Sequence, residues 1–85
     1  MPKSVFSPAY TRLLQLLVAA RKDVGLTQVE LAAHLNKPQS FVSKYENRER
    51  RLDLVEFLEV AAILKLDTIA VVEELQHVLV NSRSK

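Results

Sequence analysis

The spacing of apolar and polar positions predicts a series of amphipathic helices separated by short turns. In the first segment apolar residues recur every three or four positions, which gives a helix over residues 8–24 one broad apolar face. Ser7 and Pro8 are typical of a helix N-terminus, and Gly25 favours a left-handed stop. The apolar face comprises Tyr10, Leu13, Leu14, Leu17, Val18, Ala20 and Val24. We therefore expect this helix to pack inward, after an N-terminal arm over residues 1–7.

Two short helices with a tight turn between them are predicted in the middle of the chain. Thr27 and Glu30 have the spacing of a capping box, in which each side chain bonds a backbone N–H at the helix start. This second helix should end at Asn36, because asparagine tolerates the left-handed conformation. Its apolar positions are Val29, Leu31, Ala32 and Leu35. Pro38 suits the first turn of a third helix, which continues to about residue 46.

The second part of the chain predicts two further helices. Asp53 and Glu56 repeat the capping-box spacing and predict a fourth helix that ends near Leu66. The apolar side of that helix is formed by Leu54, Phe57, Leu58, Ala61, Ile63 and Leu64. Asp67 is then the cap of a last helix over residues 67–80.

These elements predict the all-α class, as one five-helix domain over residues 8–80 with a frayed tail over residues 81–85. A chain of 85 residues is long enough for one small core. Cysteine is absent and the two histidines, His34 and His77, lack metal-ligand spacing, so we expect no disulfide, metal or other cofactor. No arrangement of nucleophile, base and oxyanion donor is recognisable, which argues against an enzyme.

No apolar stretch of the sequence is long enough to span a bilayer, and no signal-peptide pattern is present. We therefore expect a cytoplasmic protein without a membrane partner. The net charge of +2 conceals an asymmetry: residues 1–52 carry nine Lys/Arg and four Asp/Glu (+5), and residues 53–85 carry three and six (−3). The basic first part suits a polyanionic partner, although so mild a bias is also common on ordinary surfaces.

A helical wheel of the third helix separates a polar arc from an apolar one. Phe41, Val42 and Tyr45 lie on the apolar side. The polar arc comprises Gln39, Ser40, Ser43, Lys44 and Asn47. Glutamine, lysine and serine offer the donors and acceptors that match base edges in a DNA major groove. A solvated outer face is the alternative for an isolated helix.

The groups that flank this helix favour the DNA interpretation. Gln28 lies at the start of the preceding helix, where the dipole and free N–H groups attract phosphate. Three arginines, Arg48, Arg50 and Arg51, follow the helix at its other end and are predicted to bind phosphates. The alternative for the arginines is a solubilising loop, since Glu46 and Glu49 are interleaved with them.

The segments Leu26–Ala32 and Pro38–Asn47 resemble the Cro and phage-repressor type of helix-turn-helix, the Xre family. The resemblance extends over roughly residues 13–66. It implies that Gln28 and Asn47 contact phosphates, and that the side chains facing bases are Gln39, Ser40, Ser43 and Lys44. It also implies a structural ion pair between Arg21 and Glu46. Asn36 and Arg48 stand at positions where the family usually has glycine.

The apolar arc of the last helix is wider than one small core requires. We expect the surplus to form a homodimer interface, with Ile69, Val72, Leu79 and Val80 as its residues, because two-fold DNA readers of this type bind palindromic sites. The alternative is that the helix wraps deeply over its own core.

The sequence as a whole predicts a sequence-specific regulator of transcription that binds double-stranded DNA through the major groove. A dimeric repressor or controller without a small-molecule effector fits the chain length. An antitoxin or a restriction-modification controller would have the same fold. A protein-interaction module that has lost DNA binding is the alternative from another class, because fold alone does not establish function.

Overall fold

A computed structural model describes residues 7–83, and five helices form the regular structure of that range: α1 (Pro8–Asp23), α2 (Gln28–Leu35), α3 (Gln39–Glu46), α4 (Leu54–Leu64) and α5 (Thr68–Arg83). The described residues contain no strand, so the predicted all-α class is confirmed. Residues 1–6 of the predicted arm lie outside the described residues. None of the helices in the described part is long and apolar enough to cross a membrane.

The predicted helix starts and stops depend on local hydrogen bonds that the structure contains. Both reciprocal bonds of the capping box are present at Thr27 and Glu30, and the same holds at Asp53 and Glu56. Asn36 ends α2 in the left-handed conformation, with φ at 56°. The capping side chains bond backbone N–H groups that a helix start leaves unpaired. The left-handed turn at Asn36 pairs carbonyl groups that a helix end leaves unpaired. The three predicted signals are therefore confirmed.

Two predicted boundaries were wrong. Pro38 is the N-cap residue of α3 and not its first helical residue, because its backbone is extended at ψ 155° and the helix begins at Gln39. The tail predicted over residues 81–85 is helical as far as Arg83. No glycine or proline follows Val80, so nothing in the local sequence interrupts the backbone hydrogen bonds of α5.

The helices surround one core. Helix α1 packs against α5, α4 and α3, and α2 packs against α3 and α4. The largest fully enclosed side chains are Leu17, Leu31, Val42, Tyr45 and Val60. Each of the four helices α1 to α4 contributes at least one of them, so removal of α3 from the others would expose the centre of the core.

Val24, Val29, Leu54 and Leu58 were predicted on core-facing sides, and that prediction was wrong. Their exposed fractions are 41%, 62%, 68% and 45%. Val24 follows the last residue of α1, and Val29 and Leu54 lie in the first turn of their helices. Other members of the same predicted faces, such as Leu31 and Phe57, are buried.

Candidate nucleic-acid interface

Helices α2 and α3 are joined by a turn of three residues, Asn36–Pro38. The left-handed Asn36 lets the backbone N–H of Lys37 donate to the carbonyl of Ala32, at 3.0 Å. Ala32 is 2% exposed, and its small side chain permits the close approach of the two helices. This turn therefore holds α3 across α2 with one face of α3 turned outward.

The two faces of α3 are divided as the helical wheel predicts. Phe41, Val42 and Tyr45 are buried, and the rings of Phe41 and Tyr45 meet edge to face with their centroids 5.7 Å apart. On the other face Ser43 is half-buried. The other four predicted polar residues are exposed: Gln39, Ser40, Lys44 and Asn47. The hydroxyl of Ser43 donates to the carbonyl of Ser40 at 3.3 Å. The outward face thus carries amide, hydroxyl and ammonium groups and no large apolar side chain.

A chain of side-chain hydrogen bonds connects this outward face to the scaffold. The amide nitrogen of Gln39 donates to the amide oxygen of Gln28 at 2.9 Å. The amide nitrogen of Gln28 in turn donates to a carboxylate oxygen of Glu46 at 2.8 Å. Gln39 therefore has a restricted set of conformations before any ligand arrives, and because the residue is exposed, its second amide hydrogen and its oxygen are available to another partner.

The chain ends on an ion pair between Arg21 and Glu46. The guanidinium binds both carboxylate oxygens, at 2.8 and 3.1 Å, and also donates to the carbonyl of Leu26 at 2.9 Å. The two side chains are only 11% and 6% exposed. The hydrogen bond to Glu46 raises the pKa of Arg21 above its ordinary value. The pair is bidentate and shielded from water, and it ties the C-terminal end of α3 to α1 and to the loop before α2.

Tyr45 lies in the core next to this pair. Its side chain is fully enclosed, and its hydroxyl has no hydrogen-bond partner among the described residues. Burial is the main cause that raises the pKa of the Tyr45 phenol. Tyr45 thus contributes mainly as an apolar ring that anchors α3.

Arg48 is the second residue of the loop between α3 and α4 and has a left-handed conformation, with φ at 65°. This is the position where the resemblance implies glycine, and a side chain there costs about 1 kcal/mol or more of backbone strain. The loop is held by a hydrogen bond from the backbone N–H of Glu49 to the carbonyl of Lys44, at 2.8 Å. Arg48 is half-buried and lines one surface groove together with Lys22 of α1 and Glu46.

Arg50 and Arg51 differ in their surroundings. The guanidinium of Arg50 binds both carboxylate oxygens of Glu56, at 2.8 and 2.7 Å, and lies 4.9 Å from the ring centroid of Phe41. The guanidinium of Arg51 lies 4.6 Å from the ring centroid of Tyr10 and has no carboxylate partner among the described residues. The charge of Arg50 is therefore already paired with a carboxylate of α4, whereas the charge of Arg51 is available to an anion.

The ion pair between Arg50 and Glu56 predicts that the free energy of unfolding falls at acidic pH. The hydrogen bonds from Arg50, followed by the backbone hydrogen bond from Asp53, lower the pKa of Glu56 from its ordinary 4.5 to about 2. A lowered pKa stabilises the folded state above pH 4.5, and this contribution is lost as the pH falls from 4.5 towards 2. Urea unfolding at a series of acidic pH values should therefore show a smaller acid-dependent loss in Glu56→Gln, because glutamine keeps the capping box and lacks the charge. Glu59→Gln, on an exposed position of the same helix, should keep the original acid profile; equal profiles for Glu56→Gln and the unaltered protein would contradict the prediction.

The sequence-based interpretation did not anticipate three of these contacts. Gln28 was assigned to phosphate, and the hydrogen bonds by which its side chain joins Glu46 to Gln39 were not foreseen. The partner of Arg50 on α4 was not foreseen, although the Glu56 that binds it was recognised as a capping residue. The hydroxyl of Tyr10 also accepts from the backbone N–H of Leu52 at 3.2 Å, which fastens the arginine-bearing loop to α1. The capping pattern and the apolar spacing relate residues of one helix. Neither of them predicts a side-chain partner outside that helix.

Comparisons with known proteins agree with this geometry. A family model of helix-turn-helix domains matches residues 17–70, which include all of α2, α3 and α4. A solved structure of an XRE-family like protein from Pseudomonas syringae pv. tomato str. DC3000 is 47% identical in sequence and superposes with a TM-score of 0.79. The match covers 88% of this chain and 92% of that one. Curated proteins give no significant match. The turn between α2 and α3 and the outward polar face of α3 agree with both likenesses. The chain therefore belongs to the Xre-type helix-turn-helix family of DNA-binding regulators.

Proposed function

We propose that this DNA-binding regulator recognises a palindromic operator as a homodimer and represses transcription, or controls it, by occupying a promoter. The observation that carries the proposal is the outward face of α3, on which Gln39 is held by Gln28 and Lys44 is exposed. A recognition helix in a major groove reads base edges with polar side chains of this kind.

The proposed base contacts follow from the chemistry of the face. Gln39 can offer an adenine edge one donor and one acceptor, and Lys44 can donate to the acceptors of guanine. Ser40 and Ser43 each provide a hydroxyl that donates or accepts. We assign base reading to these four side chains because they lie on one side of α3, away from the core.

The proposed phosphate contacts surround that face. Gln28 lies in the first turn of α2, where backbone N–H groups attract anions. Asn47, Arg48 and Arg51 lie at the other end of α3 and in the loop that follows. Arg50 is included in this group, but its donors are already engaged by Glu56, so we expect it to contribute less to DNA affinity than Arg51 does.

The proposed homodimer is supported by the exposed apolar residues of α5. Ile69, Val72, Leu79 and Val80 are 72%, 45%, 47% and 63% exposed. Side chains of this size on one helix face favour contact with another protein surface. A two-fold arrangement would repeat the α3 face at the spacing of one DNA turn, which a palindromic site requires. The repressor role is proposed because bound protein on a promoter blocks access by simple occlusion.

The decisive experiment is selection of bound duplexes from a random pool at moderate salt, followed by titration of the selected site across salt concentrations. The proposal predicts an enriched palindrome with half-sites about one helical turn apart, near 10 base pairs. Weak, salt-sensitive binding without enrichment would contradict sequence-specific recognition and would favour a protein-interaction module.

The same assay predicts different results for a base-reading and a phosphate-binding residue. Gln39→Ala should cost about 1–3 kcal/mol on the selected site, roughly 5- to 150-fold in affinity, with little loss on unrelated DNA. Arg51→Ala should weaken binding to all sequences and reduce the salt slope by about 1. Gln15→Ala, an exposed glutamine on α1, is the control and should bind as the unaltered protein does. Equal losses on every sequence for Gln39→Ala would contradict its base-reading role.

A further inference from the structure

An aromatic ring of α3 lies against two cationic side chains. The ammonium of Lys37, a half-buried residue of the turn before α3, lies 5.2 Å from the centroid of the Phe41 ring. The Arg50 guanidinium lies 4.9 Å from the same centroid. A cation near an aromatic ring is attracted by the negative charge of the ring face. Phe41 is 8% exposed and belongs to the core, so packing fixes the surface on which the two cations lie.

The two cations differ in the charge that remains available. Arg50 binds both carboxylate oxygens of Glu56, and the backbone N–H of Asp53 donates to the same carboxylate at 3.0 Å. The carboxylate of Asp53 in turn accepts from the backbone N–H of Glu56 at 2.7 Å. Lys37 forms no ion pair with a carboxylate among the described residues. Its charge is therefore oriented by the ring and is available to an anion.

Phe41 lies at one margin of the outward face of α3. At about 100° per residue, its side chain lies about 60° around the helix from the exposed Lys44. Gln39, which is bound by Gln28, lies about 160° from Phe41 and marks the other margin. The contact of Lys37 with Phe41 and the hydrogen bond between Gln28 and Gln39 therefore flank the outward face on opposite sides.

A helix in a major groove has a phosphate backbone on each side. The groove is about 12 Å wide, and a helix with its side chains is about 10–12 Å across. Gln28 is assigned to a phosphate on one flank of α3. Lys37, on the other flank, has a long side chain that ends in three hydrogen-bond donors. The second backbone is therefore the anion that Lys37 can reach when α3 enters the groove.

We infer that Lys37 binds a phosphate of the DNA backbone on the flank of α3 opposite Gln28, and that Phe41 is its positioning residue. The inference rests on the proposed recognition of DNA through α3. It adds a residue of the turn between α2 and α3 to the proposed phosphate contacts. Arg50 lies against the same ring, but its donors are engaged by Glu56, so Lys37 supplies most of the free charge at this flank.

A structural role for Lys37 is the alternative. The attraction between the ammonium and the ring would then only stabilise the turn before α3. A contact of that kind changes the free energy of unfolding. A phosphate contact changes the salt dependence of DNA binding, because each neutralised phosphate releases counterions. The two roles therefore have different readouts.

Lys37→Gln tests the phosphate contact, because it removes the charge and keeps a polar side chain. The slope of log affinity against log salt concentration should become less steep by about 0.9, on the selected duplex and on an unrelated duplex alike. Between about 50 and 200 mM salt, the affinity of the variant should therefore fall about 3- to 4-fold less than that of the unaltered protein. Lys37→Arg keeps the charge and the contact with the ring, so it should retain the original slope.

Lys65→Gln is the matched control. It removes the same charge from an exposed lysine at the C-terminal end of α4, away from Glu56. Its slope should equal that of the unaltered protein. Equal slopes for Lys37→Gln and Lys65→Gln would overturn the inference, as would a change confined to the free energy of unfolding. A loss for Lys37→Gln on the selected duplex alone would also overturn it, because that result indicates base reading.

The positioning role of Phe41 is tested by a double-variant cycle. Phe41→Leu removes the ring and keeps an apolar side chain in the core. Lys37→Gln should cost less affinity in this background than in the unaltered protein, because the ammonium is no longer held by the ring. An equal loss in both backgrounds would overturn the role of the ring. Phe41→Met takes the place of Phe41→Leu if circular dichroism shows the leucine variant to be unfolded.

Binding by the unaltered protein separates this inference from the proposed function. If an enriched duplex is bound and Lys37→Gln keeps the original slope, the inference is overturned and the proposed function stands. If DNA is bound without sequence enrichment, the proposed function is overturned, and the slope of Lys37→Gln on that DNA still decides the inference. A protein that binds no duplex would overturn both.

Discussion

Val42→Asp is expected to leave the protein largely unfolded in the absence of denaturant. Val42 is 0% exposed and is one of the side chains that hold α3 on the core. An ionised carboxylate at this position would have no cationic partner, and burial of such a charge costs several kcal/mol. The total stability of a domain of 85 residues is only about 4–13 kcal/mol, so a loss of this size removes most of it. Far-UV circular dichroism and urea unfolding measure the effect.

Val29→Asp is the matched control for this prediction. Val29 is the same residue type on the neighbouring helix and is 62% exposed. We expect its substitution to change the free energy of unfolding by no more than about 0.5 kcal/mol, and a carboxylate in the first turn of α2 also suits the helix dipole. A similar loss for both variants would show that burial of Val42 is not what stabilises α3.

Arg21→Ala is expected to lower the free energy of unfolding by about 3 kcal/mol. The substitution would leave Glu46 with a side chain only 6% exposed and with Gln28 as its remaining side-chain partner. The cost comes from the unpaired charge and not from the lost attraction alone. The double variant Arg21→Ala with Glu46→Gln should therefore recover part of the loss, because it removes the charge that the first substitution left unpaired. Urea titration of both variants measures this difference.

Arg12→Ala provides the comparison with an exposed pair. Arg12 binds Glu74 on α5, but these two side chains are 41% and 40% exposed. Solvent screens such a pair, and its loss should cost no more than about 1 kcal/mol. If Arg12→Ala and Arg21→Ala destabilise the protein equally, the shielding of the Arg21–Glu46 pair is not the source of its effect.

The helix ends could be predicted from the sequence because their causes are local. A capping residue and its partner are three positions apart, and a left-handed stop depends on one residue and its neighbours. The side of each helix that faces the core follows from the spacing of its own apolar residues. The outward face of α3 was predictable for the same reason.

The ion pair between Arg21 and Glu46 has a different origin. Its partners are 25 positions apart, and no local spacing relates them. The resemblance to the Xre family suggested the pair, and the structure contains it as a shielded bidentate contact. Residue roles that connect separate helices were thus accessible only through a known relative and not through periodicity.

The sequence by itself determined five helices, their approximate ends and the division of α3 into a buried and an outward face. Tertiary structure alone decided that Gln28 joins Glu46 to Gln39, that Arg50 is bound by Glu56 while Arg51 is not, and that Leu54 and Leu58 face outward beside α5. The physical reason is the distance along the chain over which each kind of interaction acts. Capping and amphipathic spacing act within one or two helical turns, whereas side-chain partners and surface grooves depend on how whole helices pack against one another.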